Sequence, residues 1–101
     1  MQITISGKHL EITPAIEEYI RKKADRLVRH LADRLQSVSF VIEKEPHHKG
    51  YHVEVKTDVA GHEDFIANQR HEDLYACIDL VMDRADRQIT DWKSRIRDHR
   101  H

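Results

Sequence analysis

Four things are scarce in this 101-residue chain, and each scarcity removes a class of function. A single cysteine, Cys77, excludes an internal disulfide and fits a reducing compartment. Only three glycines are present, all scattered, so there is no glycine-rich loop to cradle a phosphate. Aromatic residues make up 6% of the chain, which leaves the core to aliphatic side chains. No apolar run approaches the roughly 20 residues of a membrane span or the core of a signal peptide. A soluble cytoplasmic protein with an uncleaved start at Met1 is expected.

Catalytic patterns are missing as well. His71-Glu72-Asp73 and His62-Glu63-Asp64 each begin like the helical motif of zinc proteases. Tyr75 and Ile66 stand where the second histidine would have to be. No serine or cysteine sits in a nucleophile setting, and Cys77 within an amphipathic segment reads as a small packed residue. The expectation is a non-enzyme with no cofactor and no small-molecule substrate.

What the chain has in quantity is charge, 35% of its residues. The formal balance of −1 conceals a segregation along the sequence. Glu17 to Arg34 holds six basic and four acidic residues, and Asp83 to Arg100 the same. Between them, Ser39 to Tyr75 holds four basic and eight acidic residues. A nucleic-acid partner depends on such clustering as well as on the sum.

Glu72 to Arg97 carries the strongest pattern. Leu74, Ile78, Val81, Met82, Ala85, Ile89, Trp92 and Ile96 recur at steps of three and four, one stripe of an α-helix that must be covered. Each large apolar side chain buried is worth about 1.5–3 kcal/mol, so an uncovered stripe would exceed a small domain's whole stability margin. On the wheel Arg84, Arg87 and Arg95 fall on one flank, and Asp79, Asp83 and Asp86 on the other. Solvated surface charge is the plain reading of such flanks.

A second helix is expected from Thr13-Pro14, a capping hydroxyl followed by the residue best tolerated at the first helical position, to about Leu35. Its inward stripe is Ile16, Ile20, Ala24, Leu27, Leu31 and Leu35, with Lys22, Lys23, Arg26, Arg29 and His30 on the neighbouring flank. Gln2–Ser6, Val38–Lys44, Tyr51–Val59 and Glu63–Asn68 alternate as half-buried strands. Pro46 and Gly50 break the polar loop after the second strand. The order β-α-β-β-β-α predicts a single α+β domain over residues 1–101, a four-stranded sheet with two helices on one face. If the two basic flanks face each other, they line one groove.

Nine histidines, three of them at positions 47, 48 and 52, raise the alternative of a metal-binding protein. No carboxylate or cysteine completes a recognisable ligand spacing around them. His99 and His101 are expected in a frayed end.

At Glu11-Ile12-Thr13-Pro14-Ala15-Ile16, at Lys44-Glu45-Pro46, and at His71-Glu72-Asp73-Leu74-Tyr75-Ala76 through Arg87-Gln88, the chain resembles the ribosome hibernation-promoting factor family, which includes ribosome-associated inhibitor A, or protein Y. The resemblance extends over essentially the whole chain. It implies a fold similar to a double-stranded RNA-binding domain. It also implies binding to the small ribosomal subunit and its ribosomal RNA in the messenger and transfer RNA channel, inhibiting translation in stationary phase or stress. By position, the RNA-facing residues it implies are Lys23, Arg26 and Arg29 on the first helix and Arg84 and Arg87 on the second, while Asp91 departs from the lysine common in relatives. With the two flanks read from the wheel, the candidate RNA-binding set is Lys22, Lys23, Arg26, Arg29, Arg84, Arg87 and Arg95. A short form is expected, monomeric when free, without an acidic extension or a further domain for pairing ribosomes.

Overall fold

The computed structural model describes residues 2–98, and side chains to residue 96. Its elements are β1 (Gln2–Lys8), α1 (Pro14–Leu31), a 3₁₀ turn (Ala32–Arg34), β2 (Leu35–Lys44), β3 (Tyr51–Val59), β4 (Phe65–His71) and α2 (Leu74–Asp98). The expected order β-α-β-β-β-α is the observed one. The strands lie side by side as β1-β2-β3-β4, with β1 parallel to β2 and the other neighbours antiparallel. A parallel pair needs a crossover, and α1 supplies it.

Alternation decides which face is covered. Val38, Phe40 and Ile42 of β2, Val53, Val55, Thr57 and Val59 of β3, and Ala67 of β4 are buried. They form one core with Ile16, Ile20, Ala24, Leu27 and Leu31 of α1 and with Leu74, Cys77, Ile78, Val81, Met82, Ala85 and Ile89 of α2. Both helices therefore lie on the same face. The opposite face presents Ser39, Glu43, His52, Glu54, Lys56, Asn68 and Arg70, mostly polar but with Val41 half-buried and Ile66 exposed among them.

Each helix begins at a side-chain cap. Thr13 Oγ1 accepts from the Ile16 N–H at 3.2 Å. At α2, Asp73 Oδ1 accepts from the N–H groups of Tyr75 at 2.9 Å and Ala76 at 3.2 Å, so Asp73 is the cap rather than a first-turn residue. That moves the helix start two residues beyond the expected Glu72, and β4 continues through His71 instead of stopping at Asn68.

Two expectations are corrected. The first helix does not reach Leu35. It ends at Leu31, where Ala32 turns to φ 47° and donates its N–H to Val28 O, and Leu35 opens β2 opposite Val59. Leu35 is still buried, because a residue four beyond Leu31 continues the apolar stripe whether it is carried by helix or by strand. The second correction is Trp92, which packs on the margin of the core and is only partly buried. A helix of 25 residues extends about 37 Å. The seven residues of β4 span about 24 Å. At that margin Trp92 meets Phe65, with ring centroids 5.5 Å apart, and His62 at 5.0 Å, while the Arg34 guanidinium lies 4.7 Å from its ring. His99 and His101 lie outside the described residues.

The free edge of β4 is not bare. The Gln88 side chain donates from Nε2 to the Ile66 carbonyl at 2.9 Å, occupying an acceptor that no neighbouring strand takes.

Thr57 is the one buried polar residue among those described, and its hydroxyl has no protein partner there. An unpaired buried hydroxyl costs about 1–3 kcal/mol. Thr57→Val, which keeps the shape and removes that group, is expected to raise stability by about 1 kcal/mol. The shift of the urea unfolding midpoint at unchanged m-value reads it directly.

Candidate nucleic-acid interface

The rotation of α2 is fixed by its buried stripe, so its two charged flanks have only one placement. Asp79, Asp83 and Asp86 face α1. Lys23 Nζ lies 3.3 Å from Asp79 Oδ1, and Arg26 donates to Asp83 Oδ1 from both terminal nitrogens at 3.0 and 3.2 Å. Arg26 also stands 3.8 Å from Asp86 Oδ2. His30 Nδ1 comes within 2.8 Å of Asp86 Oδ1, close but not aligned as a hydrogen bond, and Lys93 Nζ donates to the His30 carbonyl at 2.6 Å. Tyr19 closes the row, donating its hydroxyl to Asp79 at 2.6 Å.

This seam replaces the expected shared groove. The two basic flanks do not face each other, because the flank of α2 turned toward α1 is the acidic one. Arg84 and Arg87 stand on the far flank, beside Gln88 and Asp91 and above the β4 edge, both exposed. Lys22 is exposed on α1, and Arg29 pairs only within its own helix, with Asp25 at 3.1 Å. Among the described residues, Lys22, Arg84, Arg87 and Arg95 make no ion pair.

Magnitude decides what the seam means for binding. Its side chains are roughly 40–55% exposed at Lys23–Asp79 and Arg26–Asp83. Pairs this wet are worth about 0.2–1 kcal/mol each. Breaking one to release a cation to a phosphate costs little. The helices are held together by Ile20, Leu27, Ile78 and Val81, and the seam tunes the charge that α1 shows.

One functional candidate was missed in the sequence. Arg70 is exposed on β4 and donates from Nε to Glu45 Oε1 at 2.8 Å, and it shares a hollow with His52, Asn68, Gln69 and Arg84. Its signal was the alternation Ile66, Asn68, Arg70, which is visible only when the strand is allowed to run past Asn68. The Arg70 guanidinium holds the Glu45 carboxyl below the usual carboxylate range, against the opposing effect of burial.

The histidines of positions 47, 48 and 52 do not assemble. No group of three or more metal-ligating side chains occurs among the described residues, and His52 Nε2 lies 3.0 Å from Asn68 Oδ1 instead. Cys77 is buried with its thiol directed to the Gln69 carbonyl at 3.2 Å, and burial raises its pKa, as suits a packing residue. No described helix is long and apolar enough to cross a membrane.

The chain is thus an α+β sheet domain that displays basic residues from both helices. The family described as Sigma 54 modulation protein / S30EA ribosomal protein matches residues 3–97, and the chain belongs to it. A ribosome hibernation promoting factor of Azotobacter vinelandii is 40% identical over 95 residues, covering 94% of this chain and 85% of that protein. One of Pseudomonas putida is 35% identical over 95 residues, covering 94% and 89%. Among solved structures, the N-terminal domain of Thermus thermophilus Protein Y superposes with a TM-score of 0.81 at 32% identity, covering 91% of this chain and 99% of that one.

The Tyr19–Asp79 bond gives the seam a pH signature. Donation to the Asp79 carboxylate, aided by burial, pushes the Tyr19 phenol from 10.0 up to about 12. A group whose folded pKa is raised contributes stability that is complete below the unfolded value and is lost as pH climbs through the folded one. Denaturation midpoints of the parent are therefore expected to fall between about pH 10 and 12 by more than those of Tyr19→Phe, which has no such proton to lose.

Proposed function

We propose that this chain is a ribosome hibernation factor, a cytoplasmic non-enzyme that binds the small ribosomal subunit in the messenger and transfer RNA channel and inhibits translation in stationary phase or stress. The observation that carries the reading is the exposed Arg84–Arg87 flank, which makes no ion pair among the described residues, on the fold of a family whose relatives bear the hibernation name.

The mechanism is occupation rather than chemistry. Phosphates of ribosomal RNA are gripped by Arg84 and Arg87 and by Lys22 and Arg29, while Lys23 and Arg26 exchange their α2 carboxylates for phosphate as the surfaces meet. Shape and backbone charge set the site, since a folded RNA hides most base edges. A protein seated in that channel excludes message and transfer RNA sterically. Free of the ribosome, it is a monomer.

Cosedimentation with purified small subunits through sucrose tests the reading. Arg84→Glu with Arg87→Glu is expected to weaken binding severely while leaving the unfolding midpoint nearly in place, as solvated charges change stability by about 0.5 kcal/mol or less. Two lost phosphate contacts should flatten the plot of log affinity against log salt by about 1.5. Failure of the parent to travel with the subunit would overturn the function. Parent-like binding by the double variant would overturn the residue assignment alone.

A further inference from the structure

We propose that Arg70 is an additional RNA phosphate-binding residue of this chain, aimed by Glu45, and that it carries the binding surface from the outer flank of α2 around the edge of β4. The inference rests on the RNA-binding reading above and extends it to a strand that lies outside both helices.

Three observations converge on Arg70. The first is the use of its donors. Nε donates to Glu45, and the two terminal nitrogens donate no hydrogen bond among the described residues. The fork that recognises two oxygens of one phosphate is therefore left free and held in one direction. The second is the contrast between the partners. The Arg70 side chain is 73% exposed, whereas that of Glu45 is 15% exposed, so the acid is anchored inward and the cation reaches outward. The Glu45 N–H donates to the Gly50 carbonyl at 3.1 Å, closing the loop that holds the carboxylate in place.

The third is continuity. Arg84 lines two adjoining hollows, one with Arg87, Gln88 and Asp91 and one with Arg70, Gln69, Asn68 and His52. Arg87, Arg84 and Arg70 thus follow one another across the top of α2 and over the strand edge, the track that a nucleic-acid backbone needs. Arg70 differs in this from Lys56, which shares its face of the sheet but stands 3.9 Å from Asp64 and lines neither hollow.

Equilibrium binding to purified small ribosomal subunits across a salt series tests the proposal with Arg70→Gln, Arg70→Lys and Lys56→Gln. Arg70→Gln is expected to weaken binding by about threefold to tenfold and to flatten the salt slope by roughly 0.7–0.9, the value of one phosphate contact. Arg70→Lys keeps the charge without the fork, so the slope should return with affinity between the two. Lys56→Gln should leave both near the parent. Thermal unfolding of each variant identifies any loss of fold, and Arg70→Lys carries the test if the glutamine variant does not fold.

Parent-like affinity and slope in Arg70→Gln would overturn the proposal, and so would equal losses in Arg70→Gln and Lys56→Gln, which would mark a diffuse charge effect. Either result, obtained while Arg84→Glu with Arg87→Glu still abolishes binding, leaves the hibernation reading standing and removes Arg70 alone. A parent that does not bind the subunit removes both.

Discussion

Burial of one stripe of α2 against the sheet governs the rest of this structure. Leu74, Ile78, Val81, Ala85 and Ile89 can reach the core in only one rotation of the helix, and that rotation assigns a direction to every charge the helix bears. Asp79, Asp83 and Asp86 must then meet α1, and Arg84 and Arg87 must stand over β4. The electrostatics of the surface are thus inherited from apolar packing. No ion pair at the seam is strong enough to have chosen the arrangement by itself.

The seam has a double character that follows from its exposure. Deep in a core, the same pairs would be costly to form and costly to break. Half in water, they cover the charge of Lys23 and Arg26 and yet cost little to open. Arg84 and Arg87 face water beside Asp91 but make no ion pair among the described residues, and Arg70 is held by Glu45 through Nε alone. The domain presents one muted basic face and one open one, an asymmetry hidden in a formal charge of −1.

Periodicity made the elements legible in the sequence, since a stripe at steps of three and four or an alternation at two is local information. It also made the two flanks of α2 legible as flanks. It could not say which flank faces α1, because that depends on the route of the chain between helices. Leu35 was misplaced because helix and strand both bury it, so the pattern carries no sign of the change. Trp92 was misplaced because a helical wheel has no end, whereas the sheet beneath it does. Arg70 was overlooked for a boundary error of three residues at the end of β4.

The position of α2 after every strand it covers has a consequence during synthesis. At about 5–20 residues per second, its 25 residues take on the order of 1–5 s to be made. Until α2 is made and packed, Phe40, Ile42, Val53 and Val55 have only α1 to cover their face of the sheet, and the Ile66 carbonyl awaits the Gln88 that will cap it. A nascent chain in that state is an open, adhesive surface. Its protection is the speed with which α2 packs once it is available.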